Sequence, residues 1–133
     1  MTRVEDLQRW LALEHEAVWL YGVIGARVRR LRKAASTSYD AHRAVRDRLL
    51  QLIVDRGGRP VGTELTYGNE RIDSRRAARR AAGDVEARIA AACLTVFGPA
   101  GTSDRRFAMA GLRRAALAAL DWGADPRAFP GLR

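Results

Sequence analysis

From Leu7 onward, the apolar positions Leu11, Val18, Tyr21 and Val28 recur at helical spacing, and Glu14 and Gly25 complete the same stripe. One helical face therefore carries a carboxylate in an otherwise oily seam. A carboxylate facing a bundle interior has to be paired, metal-bound or neutral, because an isolated buried charge is far too costly. Thr2 and Glu5 have the spacing of a capping box, which predicts a first helix from Thr2 to about Lys33, ~45 Å long at ~1.5 Å per residue. Gly22, Gly25 and Ala26 lie close together in it. Interior helical glycine costs ~0.5–1 kcal/mol relative to alanine, and the expected compensation is close approach by another helix, of this chain or of a second copy.

The pattern repeats three times more. Ser36-Thr37-Ser38 offers caps for helix 2, Asp40 suits its first turn, and Val45, Leu49, Leu52 and Ile53 give its buried face, with His42 on the same seam. Gly57-Gly58 end it near Asp55 or Arg56, and Pro60 prevents its resumption. Between Gly57 and Ile72 no helical period is present. A connection of about sixteen residues at ~3.3 Å each can run back along the whole of helix 2, which makes helices 2 and 3 parallel. That is the single long crossover of a ferritin-like bundle. Asp73 or Ser74 is expected to cap helix 3, whose face reads Ala78, Ala82, Val85, Ile89, Ala92 and Val96, with Glu86 beside it and Phe97 closing it. Gly98-Pro99 ends it. Thr102-Ser103-Asp104 is expected to cap helix 4, which carries Phe107, Gly111, Leu112, Ala115, Ala119 and Trp122 before Gly123 stops it. The expected fold class is all-α: one ferritin-like four-helix domain over residues 1–133. Residues 124–133 are expected to form an extended tail whose Phe129 docks on the bundle.

Composition narrows the function more than the fold. With 47% apolar residues and no stretch approaching the ~18 uninterrupted apolar residues of a membrane span, the chain is expected to be soluble and cytoplasmic, with no membrane partner. Cys93, the only cysteine, excludes an internal disulfide and reads as a small buried hydrophobe. The net charge is +9, and all but one of the 24 basic residues are arginine, Lys33 being the exception. Arginine forks onto phosphates and carboxylates, so an anionic partner is one expectation; a solvated, arginine-rich surface of compositional origin is the other. The expected topology gathers Arg27, Arg29, Arg30, Arg32 and Lys33 at the same end as Arg71, Arg75, Arg76, Arg79 and Arg80. One pole is then strongly basic unless Asp40, Glu70 and Asp73 offset it.

The stretches EHEAVWLYGVIGARV (Glu14 to Val28), AHRAVRDRL (Ala41 to Leu49) and DVEARIAAACL (Asp84 to Leu94), with Pro60 and Tyr67 in the crossover, resemble an uncharacterised bacterial family of ferritin-like domains of unknown function. The resemblance covers about residues 5 to 122. It implies a four-helix ferritin-like bundle and no established reaction.

A ferritin-like di-iron centre takes a Glu from each of two helices and a Glu-x-x-His from each of the other two. This chain has only His15 and His42, and neither follows a Glu by three residues; Tyr39 stands where that Glu would precede His42, and Asp121 is followed at that spacing by Ala124. Height adds an objection. With helix 1 ending near residue 33 and helix 2 starting near 38, His42 lies ~22 Å above Glu14 at ~1.5 Å per residue, too far to share an ion unless helix 1 breaks early, near Gly25. Glu14 and His15 fall instead level with the end of helix 2 and with Cys93, where a mononuclear site is conceivable. The candidate ligands for iron or manganese are Glu14, His15, His42 and Glu86. Against them stand plainer roles: Glu14 paired with an arginine such as Arg56, His42 bonded to backbone or a neighbouring side chain, Glu86 paired with Arg27 or an arginine of helix 2, and Tyr21, Tyr39 and Tyr67 supplying hydroxyls. No nucleophile-base pair or phosphate-binding glycine loop is present. Three readings follow: a non-catalytic interaction or assembly protein, expected as a homodimer without a cofactor; a divalent-metal protein with a degenerate or intersubunit site; and a polyanion or nucleic-acid binder acting through the basic pole.

Overall fold

The computed structural model describes residues 2–68 and 71–125. Within them the chain forms four α-helices and no strand: α1 (Val4–Arg27), α2 (Arg32–Asp55), α3 (Arg75–Phe97) and α4 (Thr102–Asp121). α1 packs on both α2 and α3, and α4 packs on α3. The expected all-α four-helix bundle is what the sequence folds into. Glu70 and the tail from 126 on, Phe129 included, lie outside the described residues.

The long first helix does not run to Lys33. α1 ends at Arg27; Val28 leaves helical geometry (φ −116°, ψ 89°), Arg29–Leu31 make a single 3-10 turn, and α2 starts at once at Arg32. Ile24, Val28, Leu31 and Ala35 are all buried. Their three-to-four spacing continues a straight helix on paper, yet the same residues line the inside of the corner, so periodicity cannot reveal the reversal. The Ser36-Thr37-Ser38 group is consequently inside α2 and caps nothing; the Thr37 hydroxyl donates to the Lys33 carbonyl at 3.2 Å, the back-bonding typical of mid-helix threonine. At the other end Arg3 is the N-cap of α1, and the Thr2 hydroxyl donates to Asp104 Oδ2 at 2.7 Å instead of closing a capping box with Glu5.

Other signals act as expected. Ser74 Oγ accepts the Ala77 N–H and caps α3, and glycines with positive φ follow α2 (Gly57, 78°) and α4 (Gly123, 99°). α4, however, is capped by Gly101 with no side-chain bond. Side-chain contacts set the directions: Glu16 meets Arg88, Tyr21 meets Glu86, and Arg79 lies over Trp122. α1 is thus antiparallel to α3, and α3 to α4. Because Gly25 faces Ala35 while Val4 approaches Gly58, α1 is antiparallel to α2 as well, and α2 and α3 run parallel across the long connection. That connection is strapped to α1. Gln8 Nε2 donates to the Arg59 carbonyl, the Val61 N–H donates to Gln8 Oε1, and Tyr67 packs on Trp19.

Candidate functional site

At the centre of the bundle three helices bring charge together. Glu14 from α1 and Glu86 from α3 are each only 1% exposed, and His42 from α2 is 7% exposed. His42 Nδ1 lies 2.5 Å from Glu14 Oε1, and its Nε2 lies 2.8 Å from Glu86 Oε2. The Trp10 indole N–H donates to the second Glu14 oxygen at 2.8 Å, and the Tyr21 hydroxyl donates to Glu86 Oε2 at 2.5 Å. Tyr21 stacks on His42 and on Trp122, with centroids 5.4 and 5.7 Å apart. Burial alone would depress the basicity of His42, but its hydrogen bonds to Glu14 and Glu86 outweigh it and push the pKa up to about 10. His42 is therefore a doubly protonated imidazolium clamped between two carboxylates. Burial, reinforced by the charge of Glu86, also raises the Tyr21 hydroxyl above its ordinary value, so it stays a donor.

The distance expected between Glu14 and His42 is overturned by the early end of α1. The reversal sits about six residues earlier than expected, and each residue of shift moves the facing register by two, or about 18 Å in all. Of the four candidate ligands, Glu14, His42 and Glu86 meet. His15 does not: it is buried against the connection, its Nε2 2.9 Å from the Val61 carbonyl. The arginine partners expected for the carboxylates are elsewhere too. Arg56 pairs with Asp104 at 2.5 Å, Arg27 is exposed, and Arg43 lies over the half-buried Tyr39 ring. Trp10 is the member that sequence reading missed, although it stands four residues before Glu14, the spacing that stacks two side chains on one helical face.

The cluster does not fit a metal as arranged. Both imidazole nitrogens are spent on carboxylates, so a metal would have to displace one of these bonds, and no group of three or more His, Cys, Asp or Glu among the described residues is disposed to hold an ion. One oxygen of the cluster is unsatisfied: Glu86 Oε1 is buried without a hydrogen-bond partner among the described residues. Cys93 is buried nearby, and burial pushes its thiol up and out of the reactive range.

The second candidate lies at the end of the bundle where α1 stops and α3 begins. Arg27, Arg29, Arg30, Arg32, Arg75, Arg76, Arg79 and Arg80 are all exposed, and none is in an ion pair among the described residues. The antiparallel register of α1 and α3 sets residue 27 level with about residue 79. Arg32 Nε donates to the Gly25 carbonyl at 3.3 Å, and Arg79 lies 6.0 Å from the Trp122 ring. Asp40 and Asp73, expected to offset the charge, are exposed and likewise without an ion pair among the described residues.

Comparison with known proteins gives a family and a fold. A family model described as a domain of unknown function (DUF4439) matches residues 6–133. The crystal structure of a conserved hypothetical protein from Mycobacterium tuberculosis is similar, with a TM-score of 0.82 and 27% identity over 89% of this chain and 92% of that one. No curated protein matches the chain.

Proposed function

We propose that this chain, which belongs to the DUF4439 family of domains of unknown function, is a non-catalytic interaction protein whose basic pole holds an anionic partner. The observation that carries the reading is the set of eight exposed arginines at the junction of α1, α2 and α3, without an ion pair among the described residues. Guanidinium groups without carboxylate partners, gathered on one end, attract polyanions and can fork onto their phosphate or sulfate oxygens. The interior supports the non-catalytic half of the reading. Glu14, His42, Glu86 and Tyr21 bond one another, and all four are buried. A ferritin-like origin belongs to the same proposal, supported by the one long connection and the parallel α2 and α3.

Titration of fluorescent duplex DNA and of heparin with the purified chain tests this. Binding that falls steeply as salt rises is expected; no binding to either at low salt would overturn it. Assembly with a second copy is the competing form of an interaction role, and light scattering on a size-exclusion column separates the two. Gly22 and Gly25 face Tyr39 and Ala35 of the same chain, which a β-carbon at either glycine would meet only at an ordinary 3.8 Å. Elemental analysis after reconstitution with iron or manganese tests the metal reading, and stoichiometric retention would favour it over the present one.

A further inference from the structure

Between α1, the connection and α3 lies an open cleft of about 350 Å³, lined by none of the buried cluster and none of the basic pole. Trp19 and Tyr67 form one wall, their ring centroids 5.7 Å apart at 54°. The phenol is pinned, because its oxygen accepts the Glu64 N–H at 2.9 Å. Among the described residues Glu16, Glu64, Asp84 and Arg88 supply the charged lining, three carboxylates against one guanidinium. That guanidinium is already engaged: Nη1 donates to Glu16 Oε1 at 3.0 Å, Nη2 donates to Glu16 Oε2, and Nε donates to Asp84 Oδ2 at 2.9 Å. The Glu64 carboxylate has no partner among the described residues. In a chain of net charge +9, this cleft is a locally anionic place with aromatic faces.

Charge decides what it can hold. An anion would have to pull Arg88 away from Glu16 and then face Glu64 and Asp84. A cation meets the unpartnered Glu64 carboxylate and the Asp84 oxygen that Arg88 leaves open, and an apolar stem attached to it covers the Trp19 and Tyr67 rings. The volume is near the lower end of the ~300–1,000 Å³ of small-molecule sites, so the ligand is small. We infer that this cleft binds a small organic cation, an ammonium or guanidinium group on a short aliphatic chain, stacked on Trp19 and Tyr67 and facing Glu64 and Asp84. The connection between α2 and α3 then serves as one wall of a binding site as well as a link.

Isothermal titration calorimetry of the full chain against spermidine, hexylamine and hexanoate is the test. The chain's overall positive charge gives amines no non-specific attraction, so amine binding reports a local site. Saturable one-site binding of spermidine or hexylamine is expected, with none of hexanoate. Trp19→Leu should weaken it about tenfold, and the exposed Glu64→Gln, which leaves the fold intact, by about threefold. Circular dichroism checks both variants. Absence of amine binding, equal binding of hexanoate, or affinity unchanged in both variants would overturn the inference.

Discussion

An imidazole between two buried carboxylates ties the stability of this bundle to pH in a definite direction. The folded-state pKa of His42 is raised to about 10 from an ordinary 6.5, so the protonated form is favoured by folding. The stabilisation is fully present below about pH 6.5 and is lost as pH rises towards about 10. Urea unfolding of the native chain should show a midpoint that falls steadily across that window, and His42→Gln should remove most of the slope. Parallel pH profiles in the two proteins would mean that the clamp does not operate. The same substitution leaves Glu14 and Glu86 without their counter-charge, and the loss at neutral pH should be on the order of 3–5 kcal/mol, as for other broken buried pairs. Tyr21→Phe is milder. It takes one donor from a Glu86 carboxylate that already has an unbonded oxygen, and should cost about 1–3 kcal/mol in the same measurement.

The helices differ in how closely they tolerate neighbours, and two glycines measure it. A β-carbon on Gly111 of α4 would sit 2.6 Å from Trp10 Cζ2 and 2.9 Å from Cys93 Sγ, both in fully buried side chains with nowhere to move. On Gly22 of α1 it would meet only Tyr39 Cε2, at an ordinary 3.8 Å. Gly111→Ala should therefore lower stability by about 1–3 kcal/mol through overpacking. Gly22→Ala should raise it by about 0.5–1 kcal/mol through reduced chain entropy. Thermal melts of the pair check both signs. The buried faces of all four helices were legible, because each is a 3.6-residue stripe, and glycine or a cap such as Ser74 bounds α2, α3 and α4. The turn at Val28 had only Gly25, three residues earlier, as a signal: no glycine or proline stands at the corner itself, and its apolar residues keep helical spacing around it. That one hidden reversal also concealed the cluster. Glu14 was recognisable as an anomaly on its own helix, but its partner depended on a register between helices that no local pattern encodes.

At the scale of the whole molecule the charges are sorted by use. Arg88 and Arg56 are tied to carboxylates and join elements, whereas the arginines at the α1–α3 end are free of ion pairs among the described residues. Net charge alone would attract any polyanion weakly, so a test of the pole has to hold net charge constant. Replacing Arg75, Arg76 and Arg79 by Glu changes the charge by six, and so does replacing the exposed Arg3, Arg59 and Arg106, which lie towards the opposite end. If the pole is the binding surface, only the first triple variant should lose most of its affinity for duplex DNA or heparin. Its plot of log affinity against log salt for DNA should flatten by about 0.9 for each phosphate contact removed, up to ~3 in all. Equal losses in both variants would mean that the attraction belongs to the overall charge, and the arginines would then be a solvated surface without a defined partner.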